Sequence, residues 1–176
     1  MRATLAMMII AAAAVLAVFL LRSTSPPSTP YSTARSAWAL PALSGHGTVR
    51  LADFRGKPLI LDFYASWCTA CQTELPEFLS VDKQLGGRVQ FAAVDSEENG
   101  DGVGFARRYG ITVWPLARDV GGSQSSGLRD ALESTPGMPI TAFYDSNGRV
   151  LRVRLGALSG DALAAQITQL YGGSAT

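Results

Sequence analysis

The feature that most constrains this fold is the run Leu59-Ile60-Leu61-Asp62-Phe63-Tyr64-Ala65, followed at once by Ser66-Trp67-Cys68-Thr69-Ala70-Cys71. A nearly continuous apolar run of this length reads as a strand covered on both faces, at the centre of a sheet. From Cys68 the period changes: Cys71, Leu75, Phe78, Leu79 and Leu85 recur at helical spacing, and Gly86-Gly87 supplies the stop. Pro76 falls inside this helix and is expected to kink it. A buried strand that hands directly to a helix, with two thiols at the junction, suits a pair that cycles between dithiol and disulfide.

The chain around this junction reads as one α/β domain. Trp38 to Leu43 and Thr48 to Leu51 suggest short strands, with a turn at Arg55-Gly56-Lys57-Pro58 leading into the central strand. Val89 to Val94 reads as a second buried strand ending at Asp95. Gly104 to Tyr109 reads as a helix closed by Gly110, Thr112 to Leu116 as a short strand, Gly121 to Gly127 as a loop and Leu128 to Glu133 as a short helix. Ile140 to Tyr144 and Val150 to Leu155 flank Asp145-Ser146-Asn147-Gly148, and Asn-Gly between apolar runs is a strong hairpin signal. Ser159 is placed to cap a final helix, with Asp161 at its positive end and Leu163, Ile167 and Leu170 facing inward. Strand–helix–strand implies parallel pairing through a crossover, and the hairpin adds antiparallel strands. A mixed central sheet flanked by helices follows.

The N-terminus lies outside this pattern. Ala3 to Leu21 is uncharged and bracketed by Arg2 and Arg22. As a helix it spans roughly 28 Å, close to a bilayer hydrocarbon core. Residues 1–22 therefore read as one transmembrane anchor or a signal sequence, and Leu20-Leu21-Arg22, lacking small residues for cleavage, favours the anchor. Residues 23–37, rich in Ser, Thr and Pro, read as a semi-extended linker. The folded domain is expected over 38–172 and a disordered tail over 173–176. Of 15 basic residues three precede Trp38, whereas none of the 14 acidic residues does, so the domain carries net −2. That balance gives no electrostatic case for nucleic acid.

Three other chemistries fit poorly. Two cysteines and the lone His46, in a Gly-His-Gly turn, are too few ligands for a zinc site. Covalent haem attachment needs His after the second cysteine, where Gln72 stands. Two cysteines at one helix start argue against a peroxidase. A copper chaperone using the thiols as soft ligands stays open as a minor alternative.

From Trp38 to Tyr171 the chain resembles the thioredoxin superfamily, and within it the membrane-anchored TlpA/ResA-like thiol–disulfide oxidoreductases. The likeness is carried by the stretch from Asp62 to Cys71, by Pro76, by Gly137-Met138-Pro139-Ile140-Thr141 before the hairpin and by Gly156 after it. Leu51 to Pro58 looks like the family's lead-in to the central strand, and residues 95–117 like the insertion that marks this branch. The resemblance implies that Cys68 attacks and Cys71 resolves, with no cofactor beyond the redox-active disulfide and no metal. It implies that Asp62 accepts a proton when the resolving thiol attacks, and it sets Glu74 where ResA-like proteins carry an active-site acid. It implies that Pro139 is the superfamily's cis-proline, that the Met138 backbone pairs with substrate, and that Trp67 shields the disulfide and offers a docking surface. It further implies disulfide-containing exported substrates such as apocytochrome c, a membrane thiol-transfer electron donor, and a domain on the outer side of the cytoplasmic membrane. Thr69-Ala70 departs from the many relatives with Pro before the second cysteine. Because that dipeptide helps set reduction potential, reductant and oxidant both remain open.

Overall fold

Every residue of Leu59–Tyr64 is buried, and the strand lies at the middle of a five-stranded sheet. The computed structural model describes residues 35–122 and 126–172. The expected anchor, most of the linker, the tail and part of the 121–127 loop lie outside the described residues. In chain order the strands are β1 (Ala39–Pro41), β2 (Thr48–Arg50), β3 (Leu59–Tyr64), β4 (Gln90–Ser96), β5 (Leu116–Asp119), β6 (Ile140–Tyr144) and β7 (Val150–Leu155). The α-helices are α1 (Thr69–Leu85), α2 (Gly102–Arg108), α3 (Leu128–Leu132) and α4 (Gly160–Tyr171). No helix of the described residues is long and apolar enough to cross a membrane.

The sheet runs β5-β4-β3-β6-β7 and is mixed, as the pattern implies. β3 pairs in parallel with β4 across the α1 crossover and antiparallel with β6, which turns back as β7. β1 and β2 form a separate two-stranded ribbon, joined to β5 by an Ala42–Ala117 bridge.

Side chains alternate along β3, so its two faces feed two cores. Ile60 and Tyr64 pack under α1 and α4 with Leu75, Phe78, Leu163 and Ile167. Leu59, Leu61 and Phe63 pack on the other face with Trp38, Phe54, Leu128 and Tyr144. Asp62 shares the period of Ile60 and Tyr64, which aims its carboxyl at the α1 side.

α1 extends unbroken through Pro76 and ends at Gly86, whose φ of 57° is the left-handed cap that glycine adopts freely. The strand expected over 112–116 is displaced. Ile111–Val113 forms a 3-10 turn, closed by the Trp114 N–H donating to the Ile111 carbonyl, and β5 begins only after Pro115. Proline has no N–H for a ladder, so the strand cannot run through it. α2 starts two residues earlier than expected, because the Asp101 side chain accepts from Gly104 N–H at 2.7 Å and caps it. In α4 the third inward position falls on Tyr171, while Leu170 is half-buried at the core edge.

Candidate active site

The site is assembled where β3 ends. Cys68 closes the turn by donating its N–H to the Ala65 carbonyl and stands as N-cap of α1. It forms a disulfide with Cys71, with Cα atoms 5.3 Å apart. The Cys68 Sγ also accepts from Cys71 N–H at 3.1 Å. A sulfur here faces the free N–H groups and partial positive charge of the helix start, which favours thiolate once the bond is reduced. Cys68 is 4% exposed and Cys71 is fully buried, so Cys68 is the more accessible of the two.

Trp67 is the exposed aromatic beside the pair, 46% exposed, with its indole N–H donating to the Glu97 carbonyl at 2.9 Å. The segment before β6 reaches the same end of the sheet. The register pairs Phe63 with Ile140, so one further step sets Pro139 level with Tyr64 and Met138 level with Ala65, at the Cys68 end of the sheet. The Met138–Pro139 peptide bond is cis. The Pro139 carbonyl accepts from Gly156 N–H at 2.9 Å.

Two buried carboxyls belong to the two elements that meet at the disulfide, Asp62 to β3 and Glu74 to α1. Asp62 is 1% exposed, and its Oδ1 accepts from the Thr141 hydroxyl at 3.4 Å. Burial raises its pKa well above the usual carboxylate range, and the nearby Glu74 charge raises it further. Glu74 is equally buried and does not lie on a solvated helix face. Its Oε1 accepts from Leu158 N–H at 2.8 Å, which ties α1 to the segment just before α4. Burial raises its pKa to about 7 against the opposing effect of that hydrogen bond. Asp62 Oδ2 and Glu74 Oε2 have no hydrogen-bond partner among the described residues, so little offsets the burial that raises both pKa values.

Around this centre stand residues that the sequence reading did not single out. Glu98 accepts from both the N–H and the hydroxyl of Ser66 at 2.6 Å, tying the turn before Trp67 to the loop after β4. Asp95, at 2% exposure, has its pKa raised to about 7, by burial first and then by Glu98. Arg129 is buried behind the Met138 segment. The glycines at 100, 102 and 104 were the one available signal, since added Cβ atoms at each would strike Ser66, Asp95 and Asp101. His46 lies exposed between two glycines of positive φ, as expected for a surface turn.

This arrangement matches known proteins. Residues 34–153 match the AhpC/TSA family. The thiol-disulfide oxidoreductase ResA of Geobacillus kaustophilus is 32% identical over 126 residues, covering 69% of this chain and 67% of that protein. ResA of Oceanobacillus iheyensis is 29% identical over 126 residues, covering 70% of this chain and 62% of its own. The chain thus spans about two thirds of the length of these curated relatives. Among solved structures, MTB DsbF, in mixed oxidised and reduced forms, superposes with a TM-score of 0.65 at 25% identity, over 78% of this chain and 97% of its own.

Proposed function

The chain belongs to the AhpC/TSA family as a thioredoxin-fold, ResA-type thiol–disulfide oxidoreductase, and from that premise we propose that it reduces disulfides in exported proteins, apocytochrome c among them. The observation that carries the reading is a nearly buried disulfide at the start of α1, with the Asp62 carboxyl buried on the strand that leads into it and its pKa raised by that burial.

In the reduced enzyme the Cys68 thiolate attacks one sulfur of a substrate disulfide. A Cys68–substrate bond forms, the substrate S–S bond breaks, and the leaving sulfur takes a proton. Cys71 then gives its proton to the carboxylate form of Asp62, which its raised pKa makes a stronger base than an ordinary carboxylate, and attacks the Cys68 sulfur. The mixed disulfide breaks, the substrate departs as a dithiol, and the enzyme keeps the Cys68–Cys71 bond. Two electrons have passed to substrate, and a membrane thiol-transfer donor returns them. The pair itself carries the electrons, so the reading needs no metal and no further cofactor. Glu74 shares the proton-holding site with Asp62. The Met138 backbone receives an extended substrate segment by strand addition, and Trp67 supplies an apolar docking face. The apolar segment 3–21 holds the domain on the extracytoplasmic side of the cytoplasmic membrane.

The test is a trap. Cys71→Ser is expected to accumulate mixed disulfides through Cys68 in cells, whereas Cys68→Ser abolishes exchange. A Cys71→Ser protein that captures no partner rules the mechanism out. Direction is read from the potential of the pair: about −270 mV fits a reductant, and about −120 mV the oxidase alternative that Thr69-Ala70 leaves open.

A further inference from the structure

Arg129 is a buried cation that the exchange chemistry does not use. Its side chain is 3% exposed, on the short helix α3. Nη2 donates to two backbone carbonyls, Thr135 at 2.8 Å and Gly137 at 3.0 Å. These carbonyls belong to the segment that delivers Met138. Nη1 donates to Asp130 Oδ1 at 2.8 Å, and Nε lies 3.5 Å from Glu97 Oε1, an ion pair without hydrogen-bond geometry. Glu97 is the residue whose carbonyl accepts the Trp67 indole N–H. It is also the one non-glycine of positive φ among the described residues, at 53°. That turn lets its carbonyl meet Trp67 while its carboxylate meets Arg129. Gly122 makes room for the Glu97 side chain, since a Cβ there would come within 2.5 Å of Glu97 Cγ. One guanidinium therefore joins the two sides of the redox pair: Trp67 through Glu97, and Met138 through the carbonyls before it.

We propose that Arg129 is a positioning residue that fixes Trp67 and Met138 relative to each other, and so makes this site select disulfides held in extended polypeptide over small disulfides. A buried charge is retained only where its partners compensate its desolvation, and here every partner lies on the two substrate-facing loops or beside Arg129 itself. The planar fork is what allows one side chain to hold two carbonyls and face a carboxylate; an ammonium lacks that reach and geometry. Contact selectivity of this kind acts on substrate binding, not on sulfur chemistry, because none of the Arg129 partners named above is a cysteine. The inference rests on the reading that substrate binds along Met138.

The test compares the full chain with Arg129→Gln and Arg129→Lys on two substrates: a peptide carrying a disulfide in an extended segment, and bis(2-hydroxyethyl) disulfide. Both variants are expected to raise KM for the peptide by about tenfold or more with kcat little changed. Turnover of the small disulfide is expected to stay within about twofold of wild type, and the Cys68–Cys71 potential is expected to be unmoved. Glu97→Gln keeps the carbonyl for Trp67 and is expected to show a smaller rise. Equal loss on both substrates in both variants would mean that Arg129 only holds the fold, and the proposal falls. A wild type that prefers the peptide, with variants that keep the preference, also overturns it while leaving the Met138 reading intact. A wild type with no preference removes both.

Discussion

Asp62 and Glu74 are two carboxyls sharing an apolar pocket, each with one oxygen unpartnered. Their raised pKa values translate into a stability that depends on pH, and the sign is fixed. Well below the ordinary value of 4.5, Glu74 is protonated in both folded and unfolded chains and burial costs little. Between 4.5 and about 7 the unfolded chain ionises while the folded one resists. The folded state then binds more protons, so stability falls as pH rises through this window. Above about 7 the full cost is present, on the order of 3 kcal/mol from the size of the shift. Glu74→Gln keeps an oxygen for the Leu158 N–H and carries no charge. Its melting temperature is expected to gain on wild type as pH rises from 5 to 8, and a pH-independent difference in thermal unfolding would contradict the assignment. Asp62→Asn has a kinetic signature. Attack by Cys68 is expected to survive, while release of the mixed disulfide slows by about 10²-fold or more, the usual worth of a positioned base. Single-turnover quench experiments separate the two steps.

At the scale of elements, the start of α2 is fastened by contact and leaves no room. A Cβ on Gly102 would lie 2.2 Å from Asp95 Oδ2. Asp95 is buried and cannot swing into solvent, so Gly102→Ala is expected to cost about 1–3 kcal/mol in denaturant unfolding. Gly104→Ala meets Asp101 instead, which is exposed and can rotate away; the expected loss there is the smaller one of a cap. These contacts also show where sequence reading succeeds and stops. β3, α1 and the β6–β7 hairpin were legible because their signals are local: an apolar run, a helical period, and Asn147-Gly148 with Gly148 at φ 73°. β5 is displaced from its expected place because Trp114 has the character of a strand residue, yet its indole N–H donates to Asp82 Oδ2 of α1 at 2.7 Å. In the site, the cysteines, Asp62 and Pro139 announced themselves by type and spacing. Glu74 did not announce its burial, because its partner Leu158 lies 84 residues further along the chain. Arg129 and Glu97 gave no sign at all, since each matters through a contact between distant loops.

At the scale of the whole molecule, the chain enters at one end and the redox pair stands at the other. Arg35 and Ser36 line a surface cavity of about 370 Å³ with Arg55, Asn147, Gly148 and Arg149. Arg55 lies just ahead of β3, and residues 145–149 form the turn after β6, whose Tyr144 pairs with Leu59. Cys68 follows the opposite end of β3. The first described residues thus lie at the face remote from Trp67 and Met138. If segment 3–21 is an uncleaved anchor, the full chain should stay with the membrane pellet after carbonate washing, and external protease should reach the domain in intact spheroplasts. Removing residues 3–21 should then give a protein that reduces a peptide disulfide at the wild-type rate in solution, because no residue of the site lies before Ser66 except Asp62. On the proposed reading, in which the segment serves export and access to a membrane electron donor, the same deletion should abolish reduction in cells. A full chain found in the carbonate supernatant, with an N-terminus beginning after residue 22, would instead identify the segment as a cleaved signal and require the donor to reach a free domain.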